Sequence, residues 1–440
     1  MKKICLLNIL IFFPLLACAD VVDVEGIYYN LLKDGKAEVT QKPSKYSGDI
    51  VIPEKINVGD TEYCVSSIGK YAFYGSKNLN SVTISNSVTS IGYQSFYNCP
   101  KLTSVTMSNS LVSIGESAFN SCTNLSTVII PNSVTSIEEY AFCGCSSISS
   151  ITIPNSLTSL SKGIFEACTN LTSVNIPNSI TSIDDQAFWL CHSLTSVTIP
   201  NSVTSIGSGA FDGCISLTSI AIPNSVTYLG DKAFTNCNSL NNVIIGSGIN
   251  SINDKTFYNC PNLSSITIPN NITSIGKSAF YGCNKLSGVE IPSSVTSIGA
   301  SAFYGCDNMS LVIIGDGVTN IESKAFNNCT NLVDVYCKSM NAPNTASDAF
   351  DDSFSEKVTL HVPEGCVNSY KAVVPWSNSK NIIDINGDIP NPTGINFIDT
   401  ESSKHSVFYY TIEGKRHIQP QRGINIIKMS DGTTKKVVFK

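Results

Sequence analysis

The chain contains 17 cysteines, and cysteine is the residue type that could form disulfides, bind metals or act as a nucleophile. Eleven recur at a fixed interval of 23 residues, at Cys99, Cys122, Cys145, Cys168, Cys191, Cys214, Cys237, Cys260, Cys283, Cys306 and Cys329. Side chains that repeat in register all point the same way, so their β-carbons cannot face each other as a disulfide requires. A metal site would need converging ligands, and no C-x-x-C pair occurs. We therefore predict a column of buried free thiols, with Ser76 in the equivalent position of the first repeat.

The remaining cysteines do not form a second pattern. Cys143 is too close to Cys145 for an easy bridge, and Cys5 lies near the N-terminus. Cys64, Cys337 and Cys366 fall near the ends of the repeat region, where the sequence neither requires nor excludes a disulfide.

No arrangement of residues typical of an active site is found. The four histidines, His192, His361, His405 and His417, lie in different segments. The chain has no G-x-S-x-G, no H-E-x-x-H and no phosphate-binding loop. A regular repeat multiplies each residue type instead of assembling a unique triad. We therefore expect neither an enzyme nor a bound cofactor.

The cysteine column belongs to a larger repeat that phenylalanine marks best. Phe recurs every 23 residues, at Phe73, Phe96, Phe119, Phe142, Phe165, Phe188, Phe211, Phe234, Phe257, Phe280, Phe303 and Phe326. Val or Ile follows at +9 and usually Ile at +11, which predicts a short strand with one buried face. A second apolar pair, such as Val203 and Ile206, predicts an opposite wall. A period of this length indicates a β-rich leucine-rich-repeat solenoid, a right-handed coil of about twelve turns.

Both chain ends depart from the repeat. We expect an N-terminal β cap and a C-terminal cap, because a solenoid without them would expose apolar end faces. The predicted segments are a signal peptide at 1–19, an N-terminal cap at 20–63, the solenoid at 64–362, a C-terminal cap at 363–385, a linker at 386–393 and a β-rich tail at 394–440.

The N-terminus is typical of an exported protein. Lys2 and Lys3 precede an apolar run that is too short for an ordinary membrane-spanning helix. Ala17-Cys18-Ala19 fits a cleavage site, whereas Leu15-Leu16-Ala17-Cys18 fits lipidation on Cys18, and both interpretations stay open. The only expected membrane contact is such a lipid or surface anchor. The net charge of −6 argues against nucleic acid as a partner, because phosphate binding needs a dense basic face.

The consensus C-x-x-L-x-x-V-x-I-P-x-x-V-x-x-I-G-x-x-A-F resembles the BspA-like leucine-rich repeats of bacterial surface proteins. The resemblance covers about residues 50–383 and implies a cell-surface adhesin or binding protein without naming its ligand. The tail has a second resemblance, through Tyr409-Tyr410-Thr411-Ile412-Glu413-Gly414-Lys415-Arg416, Pro420 to Ile427 and Lys435 to Lys440. These segments are similar to the sorting domain of the type IX secretion route, although Asn425 stands where Tyr is common. A β-hairpin accessory domain is the alternative.

Candidate ligand-binding residues are those that interrupt the repeat on its outward face. Positions +8 and +10 from each Phe should face outward and usually hold Ser and Thr. The exceptions that we single out are Ile129, Ile244, Glu290, Leu311, Ile313, Asp334 and Tyr336. Clustered exposed apolar groups tend to mark interaction sites. Drift under weak constraint is the alternative explanation.

A second candidate surface is an aromatic strip one residue after the repeat Phe. It consists of Tyr74, Tyr97, Trp189, Tyr258, Tyr281 and Tyr304. Such a strip could stack on sugars or anchor a protein, or it could only shield the loop backbone.

These observations favour a non-enzymatic surface or secreted protein that binds an extracellular protein or glycan. Two alternatives stay open, a structural surface-coat scaffold and a glycan-capture protein of an uptake system.

Overall fold

The computed structural model describes residues 21–351, 353–387 and 389–392, together with the strands of the C-terminal tail. Met1–Thr393 form one compact unit and Gly394–Lys440 a second. The predicted signal peptide, Cys18 and His405 lie outside the described residues.

The Val-x-Ile segments form the first wall of a β-solenoid, in which strands of neighbouring turns pair in parallel within three successive sheets, over 47–128, 150–245 and 288–384. Val82 lies opposite Val105, for example, and Val289 opposite Val312. The first-wall strands are Ser47–Ile52, Asn78–Ile84, Ser104–Thr106, Thr127–Val128, Ser150–Thr152, Ser173–Asn175, Ser196–Val197, Ser219–Ile222, Asn242–Ile245, Gly288–Ile291, Leu311–Ile314, Asp334–Cys337, Thr359–Val362 and Asn381–Asp384.

The first wall is longer than the twelve predicted repeats. We call each turn's position in the first wall a rung. Ser47–Ile52 adds one rung before the first repeat Phe, and Thr359–Val362 and Asn381–Asp384 add two rungs after the twelfth repeat. These end strands join because backbone hydrogen bonds, and not the Phe and Cys consensus, decide strand pairing.

The second apolar pair of each repeat forms the opposite wall, as predicted. Its strands are Thr61–Ile68, Ser90–Ile91, Ser113–Ile114, Ser136–Ile137, Ser159–Leu160, Ser182–Ile183, Ser205–Ile206, Tyr228–Leu229, Ser251–Ile252, Ser274–Ile275, Ser297–Ile298, Asn320–Ile321 and Asn344–Thr345. Ser205 and Ile206, for instance, lie opposite Tyr228 and Leu229.

The phenylalanine column fills the interior between the two walls. Its rings are buried and stack in one series from Phe73 to Phe350, with neighbouring centroids 4.7 to 5.9 Å apart. Tyr46 covers the N-terminal end of this stack, 4.6 Å from Phe73. Phe354 and Trp376 cover the other end, at 4.2 and 5.6 Å from Phe350.

The predicted free-thiol column is confirmed. The cysteines of the column are buried and unpaired, and each Sγ donates a hydrogen bond to the carbonyl oxygen of a Phe 26 residues earlier. Cys214 Sγ, for example, lies 3.3 Å from the oxygen of Phe188. Ser76 accepts a hydrogen bond from the backbone N–H of Tyr46 instead, and this contact joins the first repeat to the cap.

Each corner around the Phe contains two residues in the left-handed conformation, at −2 and +2. The +2 position is mostly Gly or Asn, as at Gly282 (φ 70°) and Asn259 (φ 55°), because these residues accept a positive φ at low cost. Ala167 (φ 55°) and Leu190 (φ 58°) adopt the same conformation without that advantage. The corner geometry thus follows from the repeat even where the residue is unfavourable.

The N-terminal cap is continuous with the second wall. Val21–Val24, Ile27–Leu31 and Lys36–Val39 form an antiparallel meander, and a short 3-10 helix, Lys33–Gly35, joins the last two. Lys36–Val39 then pairs in parallel with Thr61–Ile68, which also pairs with Lys55–Val58. The expected border between residues 63 and 64 falls inside that strand.

At the C-terminal end, short helices cover the last turns. Ser353–Lys357 and Val367–Lys371 are α-helical and Trp376–Asn378 is a 3-10 helix. Tyr370 and Trp376 are buried, and Trp376 Nε1 donates to the oxygen of Pro343 at 3.1 Å. The separate tail unit contains the strands Phe408–Tyr410, Arg416–His417, Gly423–Lys428 and Thr434–Phe439, which pair antiparallel.

Candidate binding surface

The outward positions of the first wall form a face without charged side chains over its middle turns. From Ser81 to Thr267, the +8 and +10 positions hold Ser, Thr, Asn, Ala or Ile. Two predicted residues stand out on this face, since Ile129 is 76% exposed and Ile244 is 47% exposed. Neither side chain belongs to the internal core cluster. Both are available to a ligand.

The last turns of the same wall carry charged and aromatic groups that pair with one another. Glu290 accepts a hydrogen bond from Lys338 Nζ at 3.0 Å. Asp334 Oδ1 lies 2.8 Å from His361 Nε2, and the His361 ring stacks on Tyr336 with centroids 4.0 Å apart. Three of the predicted residues are thus held in place by contacts within the chain. Lys338 and His361 were not predicted, although the outward alternation of the last strands places His361 beside Tyr336.

The expected exposure of Ile313 is wrong. Ile313 is only 2% exposed, although it occupies the same +10 position as Ile129 and Ile244. It is not part of the internal core cluster either, which contains its neighbours Val312 and Ile314. Ile313 is therefore covered from the outside, while Leu311 next to it is half-buried.

The six aromatic residues at +1 do not form one strip. Tyr258, Tyr281 and Tyr304 are stacked with centroids 4.8 Å apart, and Tyr74 stacks on Tyr97 at 5.2 Å. Trp189 lies turns away from both groups, and all six side chains are half-buried. Since the ring faces within each stack contact each other, a sugar could stack only at the ends.

A polar depression lies on the second wall. Lys162 lies between carboxylates of neighbouring turns, among them Glu116, Glu138 and Asp184. Some of these acidic side chains already bind backbone groups, since Glu138 accepts from the N–H of Glu116 at 2.9 Å. In the described part of the chain, no group of three or more His, Cys, Asp or Glu side chains could hold a metal ion.

The thiol column has little reactivity of its own. Burial raises the pKa of Cys283 and of Cys329 to about 12, so these thiols stay protonated at neutral pH. The thiolate is the nucleophile and the metal-binding form. The column thus contributes packing and hydrogen bonds to the fold.

The repeat, the two walls and the interior column agree with one known family. The model of the BspA type leucine rich repeat region matches residues 54–172, 158–268 and 250–370, in six copies. The chain belongs to this BspA-type family. A comparison with curated proteins finds no match.

Solved structures of similar proteins come from several bacteria. A leucine rich cell surface protein from Faecalibacterium prausnitzii is 30% identical, with 69% of this chain and 95% of that protein covered and a TM-score of 0.46. A leucine-rich repeat protein from Bacteroides ovatus is 27% identical, with coverages of 72% and 94% and a TM-score of 0.55. The pneumococcal vaccine antigen PcpA shares the fold at 18% identity, with coverages of 84% and 99% and a TM-score of 0.51.

The described residues include no helix that is both long and apolar enough to span a bilayer.

Proposed function

We propose that this protein is an exported, non-enzymatic binding protein whose first wall contacts an extracellular protein or glycan. The observation that carries the proposal is the exposure of Ile129 and Ile244 on the middle turns of the first wall, where the other outward positions hold Ser, Thr, Asn or Ala. Neither side chain belongs to the internal core cluster, so burial of either one by a partner would remove apolar surface from water that the free chain leaves exposed. The similarity to a cell surface protein supports an extracellular site of action.

The spacing of the two isoleucines indicates the size of the ligand. They lie five repeats apart, which corresponds to about 24 Å at the usual strand spacing of about 4.8 Å. A ligand that touches both must therefore be a folded protein or an extended polymer. A small molecule could reach only one.

The test is a binding screen of the full chain against matrix proteins, mucin, glycans and other cells. In the variant with Ile129→Ser and Ile244→Ser, we expect affinity for the captured ligand to fall by about tenfold or more, which corresponds to about 1.4 kcal/mol. The melting temperature should stay unchanged, since both side chains are exposed. A matched control is Val112→Ser, which removes an exposed side chain (46%) from the second wall.

If the variant with both isoleucines replaced binds the ligand as tightly as the parent chain, the binding site does not lie on this face. Self-association without any outside ligand would favour a surface-coat scaffold instead. Binding confined to glycans, with the same two isoleucines required, would narrow the proposal to glycan capture.

A further inference from the structure

The chain that follows Asn381–Asp384, the last strand of the first wall, returns to the outside of that wall. We call this segment the strap, residues 385–387 and 389–392, with Asp388 between them outside the described residues. The N–H of Ile385 still donates to the oxygen of Val362 at 2.7 Å, as a continuation of the last rung. Gly387 then has a φ of 82°, a conformation that favours glycine and turns the chain.

The strap ends over Gly288, which lies four rungs before the strand Asn381–Asp384. A β-carbon built on Gly288 would lie 2.9 Å from the oxygen of Pro392 and 3.0 Å from its β-carbon. Both Gly288 and Pro392 are buried. Equivalent +8 positions elsewhere hold Ser, Thr, Asn, Leu or Asp, so glycine occurs at the rung where the strap needs the space.

The length of the strap fits this path. Four rungs at about 4.8 Å span about 19 Å. Eight residues can reach at most about 26 to 29 Å when extended. Ile389 and Asn391 each precede a proline, which biases both towards extended backbone. Pro392 has no N–H, so its burial leaves no backbone donor without a partner.

A covered side chain lies on the same face, one rung from the end of the strap. Ile313 is one rung from Gly288 and is 2% exposed, whereas Ile129 and Ile244 in the same position are 76% and 47% exposed. The ion pair between Glu290 and Lys338 joins the strands on either side of the one that contains Ile313. The apolar surface at this end of the first wall is therefore buried beside the rung over which the strap ends.

We propose that the strap is bound in cis, with the Gly288–Ile313 surface as its seat, and that it shields this end of the first wall from outside ligands. Gly288 leaves room for the backbone of a proline-containing segment, because glycine has no side chain to occupy that space. This inference stands whether or not Ile129 and Ile244 contact a ligand, because it concerns different rungs of the wall.

Cross-linking in the full chain tests the position of the strap. With Gly288→Cys and Pro392→Cys together, we expect an intrachain disulfide between positions 288 and 392, identified by peptide mass mapping after mild oxidation. The control pair is Ser219→Cys with Pro392→Cys, because position 219 lies three rungs further away, about 14 Å, beyond disulfide reach. Similar yields from both pairs would overturn the proposal.

A second cross-link leaves Gly288 unchanged, since its added β-carbon would also lie 2.9 Å from the oxygen of Leu311. Replacing the exposed Asn391 by a photoreactive benzoylphenylalanine should give cross-links to the 288–313 region of the same molecule. Cross-links to other regions, or only between molecules, would contradict binding in cis.

Thiol labelling tests the shielding. In a Cys64→Ser background, which removes an exposed thiol, Ile313→Cys should react with a maleimide at least about tenfold more slowly than Ile244→Cys. Adding Pro392→Asp, which places a charge at the buried end of the strap, should accelerate labelling at position 313 and leave position 244 unchanged. Equal rates at position 313 with and without this change would show that the strap does not shield it.

Discussion

At the scale of single residues, the thiol column makes stability depend on alkaline pH. Burial raises the pKa of Cys283 from its ordinary value of 9.0 to about 12, so the folded chain holds the proton more tightly than the unfolded chain. The contribution of such a group is complete below the unfolded pKa and is lost as pH rises towards the folded pKa.

We therefore expect the urea midpoint to fall between about pH 9 and 12, as unfolded thiols ionise. Tyrosine and lysine titrate in the same range, so the decisive variant is Cys283→Ala with Cys306→Ala. Near pH 10, this variant should release about two fewer protons on unfolding than the parent chain. An unchanged pH slope would mean that the column ionises freely in the folded chain.

The left-handed corner residues allow a second test at this scale. Ala167 has a positive φ without the freedom of glycine, so Ala167→Gly should raise the free energy of unfolding by roughly 1 kcal/mol. This is the reverse of the usual penalty for glycine.

Gly282→Ala is the matched control, because a β-carbon there meets only ordinary contacts and yet φ is 70°. It should lower the free energy of unfolding by a similar amount of about 1 kcal/mol. Both changes can be measured by denaturant unfolding. Destabilisation by Ala167→Gly would show that backbone strain is not what limits this corner.

At the scale of elements, the aromatic stacks differ in what they contribute. Phe188 is buried between Phe165 and Phe211, with centroid distances of 5.7 and 5.2 Å. Tyr281 stacks between Tyr258 and Tyr304 at the surface, where water already reaches part of each ring. The interior column should therefore dominate the coupling between turns.

Phe188→Ala should cost about 3 to 5 kcal/mol, because it leaves a cavity in the middle of the column. Each turn contacts only its neighbours, so the loss should also separate unfolding into two transitions. Tyr281→Ala should cost about 0.5 to 1.5 kcal/mol for its lost ring contacts and keep a single transition. Circular dichroism during guanidinium unfolding measures both, and equal costs would contradict this ranking.

At the scale of the whole molecule, we propose separate roles for the solenoid and for the C-terminal tail. The similarity of residues 394–440 to a sorting domain predicts that they direct export and take no part in ligand binding. Without this tail, the protein should stay on the inner side of the outer membrane, where protease added to intact cells cannot reach it. The full chain should be digested under the same conditions. Surface exposure of the shortened chain would favour the accessory-domain alternative.

The sequence by itself determines the repeat and everything that follows from its period. The buried Phe column, the free thiols and the two apolar walls each depend on neighbours at fixed spacing, and periodicity states that spacing directly. The need for caps follows as well, since a stack of such units has two open ends. Of the candidate surface, the outward position of Ile129 and Ile244 could be predicted in this way.

Only the tertiary structure decides which outward side chains are available. Alternation places Ile313 and Ile244 in the same position, but Ile313 is covered while Ile244 is exposed. Pro392, over Gly288, and Lys338, bonded to Glu290, reach this end of the face from other rungs and from beyond the repeat. Local periodicity cannot specify the contacts of Pro392 and Lys338, because they join residues far apart in the chain that share no repeat position.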